Sequence, residues 1–111
     1  MLEPLAKTIV QKAIDKGGFY SIEAVGEEYQ EITNDVSLVC NQKDLDKYVG
    51  VDNLDECYIN LYNDKKEFQG WILWIAENDG VERVSDYLLS INSYFNIGSL
   101  IDKWEKEYIR L

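Results

Sequence analysis

The sequence predicts an α+β domain in which an antiparallel sheet of three to five strands carries N- and C-terminal helices packed on one face. Three observations predict this class: an amphipathic pattern at each end of the chain, a strand–turn–strand pattern over residues 55–78, and an Asp-Gly turn directly after it. The chain has 111 residues, which is the length of one ordinary domain. Residues 1–111 are therefore expected to form a single acidic α+β domain.

The first helix is expected from Pro4 to Lys16. Proline suits the first helical turn, where its missing N–H costs nothing, and apolar residues then recur at spacings of three and four. The pair Gly17-Gly18 is expected to end the helix, because glycine readily adopts the left-handed cap conformation. The β-like composition that follows predicts a strand from Phe19 to Val25.

The central hairpin is expected from two apolar segments, 55–62 and 67–78, joined by the polar turn 63–66. Five consecutive apolar residues at 71–75 cannot all point to one side of a strand, so this strand is expected inside the sheet with both faces at least partly covered.

The register of the hairpin is left open between two pairings. A four-residue loop at 63–66 pairs Tyr62 with Glu67, and a five-residue loop at 63–67 pairs Tyr62 with Phe68 and Ile59 with Trp71. The second pairing would gather five side chains on one face: Tyr58, Tyr62, Phe68, Ile72 and Trp74. Such a face either packs under a helix or serves as an aromatic contact surface.

The remaining elements are expected as follows. Residues 27–32 fit an edge strand or a short helix, residues 33–35 a turn, residues 36–40 a short strand, and residues 41–48 a short helix. Asn78-Asp79-Gly80 predicts a turn into a strand over residues 81–87, although residues 81–96 also fit helical spacing. The interpretation we favour is a strand to Tyr87 and a loose or short helical segment after it. A final helix is expected with Ser99 as its N-cap.

Several kinds of chemistry are excluded by composition. The chain contains no histidine, so histidine-based catalytic triads and histidine-containing zinc sites are ruled out. Asp44-x-Asp46 begins like a calcium loop, but Val49 occupies the position that requires glycine. No glycine-rich phosphate loop follows a strand. We therefore expect a non-enzymatic protein without cofactor or metal, with a small carboxylate-dependent enzyme as an alternative.

The location is expected to be cytoplasmic. The first residues resemble no secretory signal, and no apolar run approaches the length of about 18–20 residues that spans a bilayer. The cysteines Cys40 and Cys57 form no C-x-x-C pair, and we expect two free, buried thiols. No contact with a membrane is expected.

Charge is distributed very unevenly along the chain. The net charge is −10, and residues 17–64, with eleven acids and two bases, carry −9 of it. One interpretation is a solvated acidic surface. The other is a functional negative field that repels nucleic acids and attracts basic protein surfaces.

The predicted partner is therefore a basic protein, such as a nuclease or a nucleic-acid-binding complex. The inhibitor of such a protein could be a phage or plasmid anti-defence protein or an immunity protein. An assembly or adaptor subunit that binds through an aromatic sheet face is the alternative, and homo-oligomerisation stays open. The expected contacts are six acids, Glu27, Glu28, Glu31, Asp52, Asp55 and Glu56, with Tyr58, Tyr62 and Trp74 as secondary candidates.

Overall fold

The computed structural model describes residues 5–24, 32–36, 56–76 and 82–106. The elements in chain order are α1 (Leu5–Asp15), β1 (Phe19–Ala24), β2 (Glu56–Tyr62), β3 (Phe68–Ala76), β4 (Glu82–Tyr87), a 3-10 helix (Leu89–Ser93) and α2 (Ile97–Trp104). The four strands form one antiparallel sheet in the order β1-β2-β3-β4. The predicted α+β class is confirmed, and β3 lies inside the sheet as its apolar run requires.

Helix α1 ends where the sequence predicts. The N–H of Gly17 donates to the carbonyl of Ile14 at 2.8 Å, and the N–H of Gly18 donates to the carbonyl of Ala13 at 2.9 Å. These two bonds form a Schellman motif, which satisfies carbonyls that the end of a helix would otherwise leave unpaired. Gly17 has a φ of 81°, so it occupies the left-handed region that glycine enters at no steric cost.

The turn of the central hairpin is organised by Asn63. Its side-chain oxygen accepts hydrogen bonds from the N–H groups of Lys65 and Glu67, both at 2.9 Å. The Lys66 N–H donates to the Asn63 carbonyl, and Lys66 itself has a φ of 62°. Local hydrogen bonding by asparagine therefore closes the turn, as its side chain commonly does.

Neither predicted hairpin register holds along the whole strand pair. Tyr62 lies opposite Phe68, as the five-residue loop predicts, but a bulge at Gln69 then shifts the pairing by one residue. Leu61 consequently lies opposite Gly70, and Ile59 lies opposite Ile72 instead of Trp71. Since side chains alternate along a strand, this shift exchanges the faces on which the β3 residues beyond the bulge lie.

One face of the sheet forms the hydrophobic core, and both helices pack on this face. Eleven of the described core residues are completely inaccessible to solvent: Ile9, Val10, Ala13, Tyr20, Ile22, Cys57, Ile59, Leu61, Ile72, Ile91 and Ile97. Cys57 is also buried in this core, as a thiol and not in a disulfide. Ile97 of α2 joins the core, and Trp104 packs against it. We call this side of the sheet the inner face.

The C-terminal region differs from its prediction at one cap. Strand β4 and the short 3-10 helix after it confirm the favoured interpretation of residues 81–96. The predicted N-cap Ser99 is wrong, because α2 begins at Ile97 and Asn96 caps it by accepting a hydrogen bond from the Ser99 N–H at 3.1 Å. Asparagine is as good an N-cap as serine, so the two could not be ranked by type.

Some predictions fall outside the described residues. They concern the segment 27–31, the short helix at 41–48 and the turn Asn78-Asp79-Gly80. Of the predicted strand 36–40, only Val36 is described, and it lies in a 3-10 turn. Thr33 forms a single antiparallel bridge with Tyr20, and the Tyr20 phenol donates a hydrogen bond to the carbonyl of Asp35. None of the described helices is long and apolar enough to cross a membrane.

Candidate functional site on the outer face of the sheet

The second side of the sheet, which we call the outer face, carries a mixture of aromatic, aliphatic and polar side chains. The strand registers place there the following residues whose side chains are described: Phe19, Ser21, Glu23, Tyr58, Asn60, Tyr62, Phe68, Trp71, Leu73, Ile75, Arg83 and Asp86.

The apolar side chains of the outer face do not belong to the hydrophobic core. Tyr58, Trp71 and Leu73 are partly exposed, and Phe68 is 50% exposed. None of these side chains is among the residues that form the core or pack against it. Within the described part of the chain, both helices lie on the inner face. The outer face is therefore where this sheet presents apolar surface to its surroundings.

Two aromatic pairs run across strands β2 and β3. The rings of Tyr58 and Trp71 have centroids 5.4 Å apart and an interplanar angle of 83°. The rings of Tyr62 and Phe68 have centroids 5.9 Å apart and an angle of 65°. Edge-to-face contacts of this kind add about 0.5–1.5 kcal/mol beyond area burial. The pairs therefore hold their rings in defined orientations.

A buried polar network connects β1 and β2 between these rings. The Ser21 hydroxyl lies 3.0 Å from the Tyr62 hydroxyl, and Asn60 Nδ2 donates to Ser21 Oγ at 3.3 Å. The same Nδ2 lies 3.5 Å from a carboxylate oxygen of Glu23. Ser21 and Asn60 are buried, so these bonds offset the desolvation of their polar groups. The network brings the Glu23 carboxylate near Asn60, and Glu23 lies opposite Tyr58 on the neighbouring strand.

The outer face already holds one cation against an aromatic ring. The ammonium of Lys66 lies over the ring of Phe19, 5.2 Å from its centroid. This is within the distance of about 6 Å at which the ring quadrupole attracts a cation. The neighbourhood of β1 and β2 is thus suited to positively charged groups.

A second polar contact ties the C-terminal region to the edge of this site. The Tyr94 phenol is shared between the carbonyl oxygens of Ala13 and Tyr62, each at 3.3 Å. Burial raises the pKa of Tyr94, and the negative charge of Asp64 raises it further. The phenol therefore stays protonated and able to donate at neutral pH.

The outer face carries groups that can bind a partner. Within residues 5–24, 32–36, 56–76 and 82–106, no group of three or more Cys, Asp or Glu side chains is arranged to hold a metal ion. The rings, the Asn60 amide and the Glu23 carboxylate offer stacking surface, hydrogen bonds and negative charge. These are the groups that recognise a cationic, flat or apolar partner.

The predicted contact residues are only partly brought together. Glu27, Glu28, Glu31, Asp52 and Asp55 lie outside the described residues, and Glu56 is the first residue of β2. The predicted grouping of Tyr58, Tyr62 and Trp74 on one face is wrong. Trp74 lies opposite Cys57 on the inner face and is 5% exposed, because the bulge at Gln69 reverses the alternation.

Trp71 and Glu23 are two outer-face residues that the sequence reasoning did not place at this site. Trp71 replaces Trp74 as the partner of Tyr58. The signal that could have found it is Gly70, since an isolated glycine within a strand pattern indicates a bulge or a close backbone contact. The close contact is present: a Cβ on Gly70 would lie 2.9 Å from Cβ of Ile91.

Comparison with protein-family models, with curated proteins and with solved structures gives no match to this chain.

Proposed function

We propose that this chain is a non-enzymatic, acidic protein-binding module that occupies a basic surface of another protein. The observation that carries the proposal is the charge segregation, with −9 of the net −10 located in residues 17–64. Residues 17–42 and 48–64 contain no lysine or arginine that would neutralise these acids locally. Interspersed charges would suffice for solubility, whereas a one-signed field accelerates encounter with an oppositely charged partner.

The most concrete form of this function is inhibition of a nucleic-acid-binding protein. A surface that binds phosphates is basic, so an acidic protein that repels nucleic acid is attracted to the proteins that bind it. A phage or plasmid anti-defence protein, or an immunity protein against a nuclease toxin, would act in this way. We place this activity in the cytoplasm, where the thiol of Cys57 would remain reduced.

A second candidate is an assembly or adaptor subunit that binds through the outer face. It is favoured by the rings of Tyr58, Phe68 and Trp71, which lie outside the core. Salt separates the two functions. Binding steered by charge weakens steeply as ionic strength rises, whereas apolar contact does not.

The first experiment is affinity capture from the source cell, followed by release in increasing salt. Raising the salt from about 0.05 to 0.5 M shortens the screening length to a few ångströms, so a charge-steered partner should be released. The released partner should have a basic surface. Adding the acidic chain to the purified partner should reduce the partner's binding to nucleic acid. Retention in high salt by a partner without a basic surface would refute the proposal. Turnover of a substrate without any partner would favour the carboxylate-dependent enzyme.

A charge-matched pair of variants then tests whether the position of the acids matters. The test variant reverses Glu27, Glu28 and Glu31 to lysine and should slow association with the captured partner about ten-fold or more. The control reverses three exposed acids outside residues 17–64: Asp15, Asp102 and Glu105. Both variants change the net charge equally, so an equal effect on the association rate would show that only total charge matters.

A further inference from the structure

The outer face presents three aromatic side chains that neither the core nor a described helix uses. Phe68 is 50% exposed, and Tyr58 and Trp71 are partly exposed. Large aromatic side chains contribute most to binding when a partner removes them from water, and they are the usual anchors of protein interfaces. The outer face therefore offers aromatic side chains that a partner could bury.

The geometry of one ring pair favours a flat cation. The planes of the Tyr58 and Trp71 rings are nearly perpendicular, at 83° to each other, so a flat group that stacks on one ring would meet the other ring at its edge. Glu23 lies opposite Tyr58 on the neighbouring strand and adds a negative charge beside the pair. A planar guanidinium stacks on aromatic rings and pairs with carboxylates, whereas an ammonium is a compact, strongly hydrated point charge.

The rest of the molecule supports a cationic partner over other occupants. Lys66 already lies over the ring of Phe19 at the same face, so the face accepts a positive group within its own chain. A nucleic acid could also stack on exposed rings, but its phosphates would be repelled by a net charge of −10. A second copy of this chain also has a net charge of −10, so two copies would repel each other.

We propose that the outer face of the sheet is the contact surface for the basic partner, and that Tyr58, Trp71 and Glu23 recognise an arginine side chain of that partner. This inference rests on the proposed function and specifies its contact. The acids of residues 17–64 supply the long-range attraction, and the rings supply short-range selection of guanidinium over ammonium. Charge alone would not distinguish the two cations.

The test uses three probes of equal length: nona-arginine, nona-lysine and nona-citrulline peptides, with citrulline as the uncharged analogue of arginine. Binding to the whole chain is measured by isothermal titration calorimetry at about 0.05 and 0.5 M salt, where screening differs strongly. The arginine peptide should bind about five-fold more tightly than the lysine peptide, which corresponds to one favourable cation–π contact. The citrulline peptide should bind far more weakly than either.

Two charge-neutral variants localise the effect. Trp71→Leu and Tyr58→Leu, which each remove one ring of the proposed site, should remove most of the arginine preference while leaving the weaker, salt-sensitive binding of the lysine peptide unchanged. Leu89→Ala is the matched control, because Leu89 is a 73% exposed apolar side chain outside the outer face. Circular dichroism checks that each variant folds. Because Tyr58 is partly exposed and lies outside the core, its variant keeps the test valid even if Trp71→Leu is destabilised.

The outcomes separate this inference from the proposed function. Equal, salt-sensitive binding of both cationic peptides, unchanged in the two variants, would overturn the inference and leave the proposed function standing. Absence of binding by either cationic peptide at low salt would overturn both. Binding of a single-stranded oligonucleotide that Phe68→Ala abolishes, or a dimer in sedimentation that the same variant dissociates, would assign the outer face to another occupant and overturn the inference.

Discussion

Replacing Gly18 by alanine tests the junction where helix α1 meets the hairpin. A Cβ at this position would lie well inside 3.0 Å from two atoms, the carbonyl oxygen of Tyr62 and the phenol oxygen of Tyr94, and 3.0 Å from the carbonyl oxygen of Ala13. Two of the three atoms belong to the backbone, so they cannot rotate away. The third is the phenol that connects α1 to β2.

The expected loss can be worked from these contacts. Forcing an extra methyl group into a packed site costs about 1–3 kcal/mol. Displacing the Tyr94 phenol removes a hydrogen bond shared between the carbonyls of Ala13 and Tyr62, which adds about 1 kcal/mol. Gly18→Ala should therefore lower the free energy of unfolding by about 2–4 kcal/mol, a large share of the 5–15 kcal/mol of an ordinary domain. The melting temperature should fall by roughly 10–20 °C.

Urea denaturation followed by circular dichroism measures this loss, and Gly98→Ala provides the control. A Cβ on Gly98, in α2, would meet its nearest neighbours at 3.6 and 3.7 Å, which are ordinary contacts. The same substitution should there be neutral or stabilising by up to about 1 kcal/mol, because alanine favours helix more than glycine. A loss below about 1 kcal/mol for Gly18→Ala would refute the packing described at this junction. In a Tyr94→Phe background the loss should be smaller, because one of the clashing atoms is absent.

Two further predictions concern Tyr94 and the two faces of the sheet. Tyr94→Phe should lower the free energy of unfolding by about 1 kcal/mol at neutral pH. Because folding raises the pKa of Tyr94, the stability that its protonated phenol contributes should be complete below about pH 10 and should be lost as the pH rises further. Urea denaturation of both proteins at neutral pH and at about pH 11 measures this, and a constant difference between them would contradict the assignment. Trp74→Ala should lower the free energy of unfolding by about 3–5 kcal/mol because Trp74 is 5% exposed on the inner face, whereas Phe68→Ala should lower it by about 1 kcal/mol because Phe68 is 50% exposed. Equal losses in chemical denaturation would contradict the assignment of the two faces.

The sequence predicts the elements of this fold well because each has a local physical signal. Periodic apolar residues mark α1, paired glycines mark its end, and the apolar run of β3 requires a central strand. The start of α2 was misplaced by three residues because Asn96 and Ser99 are both good N-caps. Asn92, in the preceding 3-10 helix, decides between them. Its side chain accepts hydrogen bonds from the N–H groups of Ile97 and Gly98, which places the start of the helix at Ile97.

The candidate site was harder to predict because it depends on register. The sequence indicates that aromatic side chains line the hairpin, but alternation is a two-fold pattern and one inserted residue reverses it. The bulge at Gln69 places Phe68 and Trp71 on the same face although they are three positions apart. Gly70, directly after the bulge, lies against Ile91, which is 21 residues further along the chain, and no local pattern identifies this partner. The charge segregation, by contrast, is a property of composition and needs no fold to be recognised.

The shared hydrogen bond of Tyr94 has a consequence for the order in which the chain can fold during synthesis. The phenol reaches back 81 residues to Ala13, and Ile91 and Ile97 complete the core against which α1 packs. Because a ribosome delivers the N-terminus first, α1 and β1 emerge long before the residues that cover them. The core around α1 is therefore completed only after residues beyond 89 have been released, and we expect nascent chains that stop before residue 89 to be recognised by chaperones.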